Sequence, residues 1–341
     1  MIDYFLNFVY FVTTSVASIL VISWIWKELT MGICRCKGSM KGKVVLITGG
    51  NNGIGFETSL ELARRGASLI IGCRNIQNVK SKIQRFVPNA NIDVVRLDLS
   101  SIGSIQKFVE EVKSRYDLID VLINNAGLAG NRENKKSEDG FEVVMATNYF
   151  GHALLNHLLL DLVKRAGHVG DDCSRIILVS SIAAAHKSAA NELCKIRQDR
   201  SYDIKLGVTT MGYQYYKSKL AQIMYGKHLA KLLEADNCNT IVASLHPGLV
   251  RTDIFQAIPP GSIQNLFKWA SYVFGKSCRQ GAQTTIHLAV CDSSNLLGKT
   301  SGEFFCDCKL EKWSFIPMPK QLEDPKACKM VWDETMKLLN I

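Results

Sequence analysis

The chain has 341 residues, of which 47% are hydrophobic, enough to bury a full core, so intrinsic disorder is not its default state. Its net charge of +10 raises nucleic-acid binding, but the basic residues are scattered, with no arginine-rich tract and no zinc-finger spacing, so no nucleic-acid partner is expected. A membrane surface or an anionic cofactor accounts for the bias equally well.

Residues Phe5 to Trp26 form an uncharged apolar run long enough to cross a bilayer core. Trp24 and Trp26 fall where an interfacial belt belongs, and Lys27, Arg35, Lys37, Lys41 and Lys43 follow. The acidic start (Asp3) and the Trp-Ile-Trp end do not suit a cleaved signal peptide. Residues 1–28 are therefore read as an uncleaved anchor and 29–42 as a basic linker, with the remaining chain on the cytosolic side of a single-pass protein. Asn7 and Thr13-Thr14-Ser15 weaken the run, so a segment lying in one leaflet is the alternative. The eleven cysteines are read as reduced thiols. Cys34/Cys36 and Cys306/Cys308 are spaced C-x-C, but no second pair and histidine set completes a zinc site, so no metal is expected.

From Lys43 onward, short β-branched runs alternate with helical patterns, which predicts a doubly wound parallel sheet. The first strand, Val44-Val45-Leu46-Ile47, leads into Thr48-Gly49-Gly50-Asn51-Asn52-Gly53-Ile54-Gly55 and then a helix. Glycines between a strand and a helix let backbone approach a pyrophosphate held at the helix N-terminus, so Gly49, Asn51, Asn52, Gly53, Ile54 and Gly55 are candidate cofactor contacts. The second strand, from Ser68, ends in Cys73-Arg74-Asn75. Arg74 stands where an NAD enzyme would place an acidic residue on the ribose 2′-hydroxyl, and a guanidinium there suits a 2′-phosphate, which predicts NADP(H). Asp98, at the end of the third strand, faces the ligand edge of the sheet or caps the next helix. Asn125, Ala126 and Gly127 follow the fourth strand as a small turn able to lie against an adenosine, and Asn148 stands inside a helix, where asparagine is poorly favoured and wants a reason.

The fifth strand, Arg175 to Val179, ends in Ser180-Ser181, whose hydroxyls face the same crevice. A polar stretch leads to Tyr215-Tyr216-Lys217-Ser218-Lys219, where Tyr215 and Lys219 lie one helical turn apart. An ammonium at that distance favours the phenolate and lowers a tyrosine pKa that is otherwise near 10, which makes the pair a proton-transfer device. Tyr213 and Lys217 form a second pair at the same spacing. A sixth strand, Thr240 to Leu245, precedes His246-Pro247-Gly248-Leu249-Val250-Arg251-Thr252, and the aromatic segment Phe255 to Phe274 reads as a lid over an apolar substrate, as core packing or as a membrane contact.

Taken together, Thr48-Gly49-x-x-x-Gly53-Ile54-Gly55, Asn124-Asn125-Ala126-Gly127, Ser181, Tyr215-x-x-x-Lys219 and Pro247-Gly248 resemble the short-chain dehydrogenase/reductase family over roughly residues 42–302. Cys73-Arg74-Asn75, His246-Pro247-Gly248-x-Val250-x-Thr252 and Ser301-Gly302-x-Phe304-Phe305-x-Asp307-Cys308 are similar to its membrane-anchored retinol dehydrogenase group. The resemblance implies a Rossmann-type domain over 43–310, with the lid at about 250–280 and a C-terminal extension over 311–341. It implies Tyr215 as general acid/base, Lys219 as the group that lowers its pKa and holds the nicotinamide ribose, Ser181 as partner of the substrate oxygen, and Asn148 as anchor of a relay water. Pro247, Gly248 and Thr252 complete the cofactor contacts. Serine before the lysine and Leu-Ala after it favour the Tyr215 frame over Tyr213. The implied activity interconverts a lipophilic alcohol, retinol foremost, and its carbonyl at the endoplasmic reticulum membrane. Steroid, isoprenoid or lipid-derived substrates and a non-catalytic cofactor-binding scaffold are the competing readings. Homo-oligomerisation stays open, and the long, charged stretch between Ser181 and Tyr215 departs from many family members.

Overall fold

A computed structural model of the chain describes residues 2–130, 136–168, 172–186, 208–251, 271, 275–292, 301–311 and 318–341. Helix α1 (Ile2–Thr30) precedes the sheet; within it, Tyr4–Ile22 is long and apolar enough to cross a membrane, by length and composition. Its large apolar side chains, including Tyr4, Phe5, Phe8, Phe11 and Trp24, are exposed.

The α/β part then runs β1 (Val44–Thr48), α2 (Gly53–Arg64), β2 (Ser68–Cys73), α3 (Val79–Gln84), β3 (Ile92–Arg96), α4 (Ile102–Lys113) and β4 (Val121–Asn124). A short helical turn, Val143–Met145, and a π-helical turn, Ala146–Phe150, lead into α5 (Gly151–His168). There follow β5 (Ser174–Val179), α6 (Val208–Ala235), β6 (Thr240–His246), α7 (Gln283–Val290), β7 (Phe304–Cys306), β8 (Lys309–Leu310) and α8 (Pro325–Leu339). The strands form one sheet in the order β3-β2-β1-β4-β5-β6-β7-β8, parallel except for the β7–β8 pair.

Strand side chains alternate between two apolar layers, as the period of two requires. Leu46, Ile70, Leu122, Ile176 and Val242 pack with residues of α4, α5, α6 and α8. Val45, Ile47, Leu69, Ile71, Ile123, Ile177 and Leu245 pack with residues of α2 and α7. Both faces are covered, so the parallel strands read as continuous apolar runs, which is why they are legible in the sequence. The chain order reverses between β1 and β4, and at that switch point the carboxyl ends of the strands open a crevice for a ligand.

Residues beyond 310 join the same core. Cys328, Val331 and Leu339 of α8 are buried in the layer that holds α6, and Trp332 stacks on Tyr225 with ring centroids 4.9 Å apart. The Thr335 hydroxyl donates to the Val331 carbonyl (2.7 Å), which leaves its oxygen to accept from Tyr149 Oη (2.6 Å). Thr335→Val should remove that buried bond and cost about 0.5–1.5 kcal/mol, read as a lower denaturation midpoint; an unchanged midpoint would show that the bond contributes nothing.

One sulfur pair departs from the reduced state expected throughout. Cys36, in the linker after α1, is disulfide-bonded to Cys291 at the end of α7, at a sequence separation of 255.

Candidate active site

The switch-point crevice is a cleft of about 1050 Å³ whose lining includes Gly49, Asn51, Asn52, Gly53, Ile54, Gly55, Arg74, Asp98, Asn125, Ala126, Gly127, Tyr215, Lys219 and Pro247. Gly248 turns at φ +90° beside it, and its missing Cβ would meet Lys276 Nζ at 2.9 Å. Thr252 and most of the expected lid lie outside the described residues.

The glycine loop is held by close backbone approach. Gly49 has φ +68°, and a Cβ there would lie 3.0 Å from Ala126 Cα and 3.2 Å from Asn125 Nδ2. Asn52 caps α2, its Oδ1 accepting from Gly53 N at 2.8 Å, so the remaining N–H groups of the first turn face the cleft. Asn125 is turned inward: its Nδ2 donates to the Thr48 and Gly49 carbonyls (2.9 and 3.3 Å). Asp98 Oδ1 accepts from both N and Oγ of Ser100, while the cap of α4 is Ser101. Arg74 is exposed at the end of β2 and has no carboxylate partner among the described residues.

The residues expected to handle the proton lie on the other wall. Tyr215 and Lys219 line the cleft, and Tyr213 and Lys217 are not among its lining residues. Lys219 is buried, donates to the Val179 carbonyl at 2.7 Å, and lies 5.8 Å from the centre of the Tyr215 ring. Ser181 lies by the Tyr215 phenol, where its hydroxyl favours the ionised form. Ser180, unlike Ser181, is a lining residue of the cleft, and its hydroxyl donates to the Lys219 carbonyl at 2.8 Å, which fastens α6 to the end of β5.

Asn148 is completely buried within the π-helical turn. Its Oδ1 accepts from Leu128 N (2.7 Å), and its Nδ2 donates to Leu128 O (2.8 Å) and Ser218 Oγ (3.0 Å). That answers the question of an asparagine in a helix: the amide ties the turn after β4 to α6. A Cβ on Gly127 would sit 3.4 Å from Asn148 Oδ1 and 3.6 Å from Lys219 Nζ, so these groups share one small space.

The electrostatics differ from the expectation drawn from spacing. Burial, opposed by the Ser181 hydrogen bond, raises the Tyr215 pKa. Burial also pulls Lys219 down to about 7. The expected lowering of Tyr215 by a charged Lys219 is therefore not found, because desolvation disfavours the charged form of both groups.

Thr48 was not among the expected contacts, yet it joins the two halves of the cleft. Its Oγ1 accepts from Asn125 N and Ala126 N, each at 3.0 Å, and lies 2.9 Å from His152 Nε2. His152 Nδ1 must donate to the Asn148 carbonyl (2.9 Å), so Nε2 of the neutral ring accepts from Thr48. Burial lowers the His152 pKa to about 4 and keeps the ring neutral. A threonine ending a strand before glycines was the available signal; its partner, 104 residues away, was not visible.

This arrangement is that of a doubly wound α/β protein whose glycine loop and switch-point crevice suit a dinucleotide. A short chain dehydrogenase family model matches residues 43–193. Retinol dehydrogenase 12 of Bos taurus is 33% identical over 341 residues, covering 99% of this chain and 96% of the relative. Retinol dehydrogenase 14 of Homo sapiens is 36% identical over 313 residues, covering 87% and 86%. Among solved structures, the fold matches the Pseudomonas aeruginosa RhlG/NADP active-site complex (TM-score 0.59, 22% identity, 78% of this chain and 95% of that one). It also matches NADPH-bound carbonyl reductase from chicken fatty liver (TM-score 0.57, 22% identity, 81% and 96%). The chain belongs to the short-chain dehydrogenase/reductase family of oxidoreductases and is similar to its retinol dehydrogenase members.

An unfolded lysine titrates near 10.4. Between about pH 7 and about pH 10 the unfolded chain therefore binds more protons than the folded one, and stability should rise with pH. Lys219→Met should lack that rise, measured as the difference in denaturation midpoint of the ligand-free protein between about pH 7 and about pH 9.5. Parallel pH curves for the two proteins would contradict a depressed Lys219.

Proposed function

We propose that this protein is an NADP(H)-dependent oxidoreductase that interconverts a lipophilic alcohol and its aldehyde or ketone, with retinol and retinal as the leading pair. The observation that carries this reading is that Tyr215 and Lys219 line the same cleft as the glycine loop, with Ser181 beside the Tyr215 phenol. The residues fit a dinucleotide: a Cβ at Gly49 would press on Ala126 and Asn125, and one at Gly55 on the Gly49 carbonyl, so glycine alone keeps this loop closed at the start of α2, where backbone can approach a pyrophosphate. In this reading Gly49, Asn51, Asn52, Gly53, Ile54 and Gly55 hold the pyrophosphate and Arg74 holds the 2′-phosphate. Asp98 and the Asn125–Gly127 turn take the adenosine half, and Pro247 and Gly248 flank the nicotinamide half.

When bound, the nicotinamide cofactor supplies or accepts the hydride. The protein's task is then one proton on one oxygen. Tyr215, kept protonated by burial, donates its phenolic proton to the carbonyl oxygen in reduction and receives it back in oxidation. Ser181 hydrogen-bonds the same oxygen and orients it. An anionic ligand in the cleft favours the ammonium form of Lys219, which restores the charge pairing that the Tyr215-x-x-x-Lys219 spacing implies. Asn148 braces this wall through Leu128 and Ser218.

The names of the relatives support a retinoid substrate, and RhlG with NADP and the carbonyl reductase with NADPH support the phosphorylated cofactor. We place the protein in the endoplasmic reticulum membrane through α1, with the catalytic part facing the cytosol, as the basic residues Lys27, Arg35, Lys37, Lys41 and Lys43 favour.

Tyr215→Phe should lower turnover of retinal with NADPH by roughly 10²–10⁴-fold while NADPH still binds, and Tyr213→Phe should stay active; the reverse outcome would reassign the acid/base to the Tyr213 frame. Arg74→Asp should weaken NADPH by about 1.5–3 kcal/mol and leave NADH little changed, measured by titration. An unaltered preference between the two cofactors would refute the 2′-phosphate role.

A further inference from the structure

A second cluster of chemically capable side chains lies apart from the cleft, between the linker and α7. Gln283, His287 and Cys291 are spaced four residues apart and so share one face of that helix. Linker residues run along this face: Cys34 N donates to Gln283 Oε1 at 3.0 Å. Cys36 Sγ lies 3.4 Å from His287 Nδ1, and Cys291 Sγ lies 3.6 Å from the same nitrogen. The sulfurs of Cys34 and Cys36 and a ring nitrogen of His287 all fall within 4.8 Å of one another. None of the four donor residues lines the cleft.

We propose that Cys34, Cys36, His287 and Cys291, with the thiols reduced, form a closed structural zinc site that staples the juxtamembrane linker to α7. Three sulfurs and one imidazole are a donor set that zinc takes tetrahedrally, with Zn–S of about 2.3 Å and Zn–N of about 2.0–2.1 Å. Those bond lengths at a tetrahedral angle put sulfur and nitrogen roughly 3.5 Å apart, between the two separations seen here. In sequence the set reads C-x-C followed, some 250 residues later, by H-x-x-x-C, a spacing that only the fold completes.

The surroundings suit the charge. A site of three thiolates and one neutral imidazole around Zn²⁺ carries a net negative charge. The Arg65 guanidinium lies beside it, donating to the carbonyls of Cys36 (2.8 Å) and Gly38 (3.1 Å), and Arg175 donates to Leu288 O (3.0 Å). His287 is half-buried, and its neutral ring is the form that binds metal.

The Cys36–Cys291 disulfide is the oxidised form of two of these ligands. Two electrons and two protons from a thiol reductant of the glutathione class return it to two thiols, the reductant leaving as its own disulfide. Zinc binding then transfers no electrons; each thiol loses its proton as its Zn–S bond forms. Either state joins the segment that follows α1 to a helix packed against the sheet, and the metal recruits Cys34 and His287 as well.

The test uses the full chain, purified in detergent without chelator under anaerobic, thiol-reducing conditions, with zinc measured by mass spectrometry. One zinc per chain is expected, and the cobalt-substituted protein should show the visible bands of a tetrahedral thiolate site. Cys34→Ser and His287→Gln leave the Cys36–Cys291 pair intact, yet each should reduce bound zinc to background; Cys238→Ser, remote from the cluster, should retain it. A chelator should lower the melting temperature of the wild type and not that of Cys34→Ser. Reduced, folded wild-type protein that holds no zinc and gives no cobalt spectrum would overturn the proposal, whatever the variants do. Zinc content indifferent to Cys34→Ser and His287→Gln would overturn it equally. Because no readout is turnover, failure of this site and failure of the proposed oxidoreductase reading are distinguishable.

Discussion

The cleft depends on one buried hydroxyl. Thr48 ends β1, accepts the N–H groups of Asn125 and Ala126, and donates to His152. The glycine loop and the turn after β4 are thereby locked together at the point where the sheet changes direction. Asn125 reinforces the lock by donating to the Thr48 and Gly49 carbonyls. His152 passes it on through the Asn148 carbonyl, and the Asn148 amide carries it to Leu128 and to Ser218 on the helix that bears Tyr215 and Lys219. A continuous line of hydrogen bonds thus runs from the nucleotide cradle to the proton-handling wall. Each member is buried or nearly so, where an unmet polar group is costly, so the line has one low-energy arrangement.

The second constraint is desolvation. Among the described residues Lys219 has no carboxylate beside it; its ammonium meets the Val179 carbonyl and, more distantly, Gln222. Burial without a counter-charge brings its pKa to about 7. A lysine held at that point is sensitive to any anion that enters the cleft. The same burial pushes Tyr215 the opposite way and favours its protonated form.

Much of this was legible in the sequence. Strands such as Val44–Thr48 and Ser174–Val179 are apolar runs because helices cover both faces of the sheet. The glycine loop, Arg74 and the Tyr215 turn are local patterns, and the fold gathers them into one cleft. What was hidden depends on contacts between distant residues. Nothing near Asn148 announces that its amide closes on Leu128 and Ser218, and nothing near Ser180 says that its hydroxyl holds the Lys219 carbonyl while Ser181 meets Tyr215. The direction of the Tyr215 shift was also beyond reach, since helical spacing gives the distance to a lysine but not how much water either group keeps. Likewise, C-x-C near the anchor and His287-x-x-x-Cys291 near the end are unremarkable apart and become a cluster only when the linker crosses α7.

The central claim is that this cleft moves a hydride between a nicotinamide cofactor and a lipophilic carbonyl. The most direct measurement gives membranes bearing the full chain retinal and NADPH deuterated at the transferable C4 position, and analyses the extracted lipid by mass spectrometry. The account predicts retinol carrying one deuterium on the carbinol carbon, and none from membranes bearing Tyr215→Phe. Binding of NADPH with no label in retinol or in any other lipophilic alcohol would contradict it.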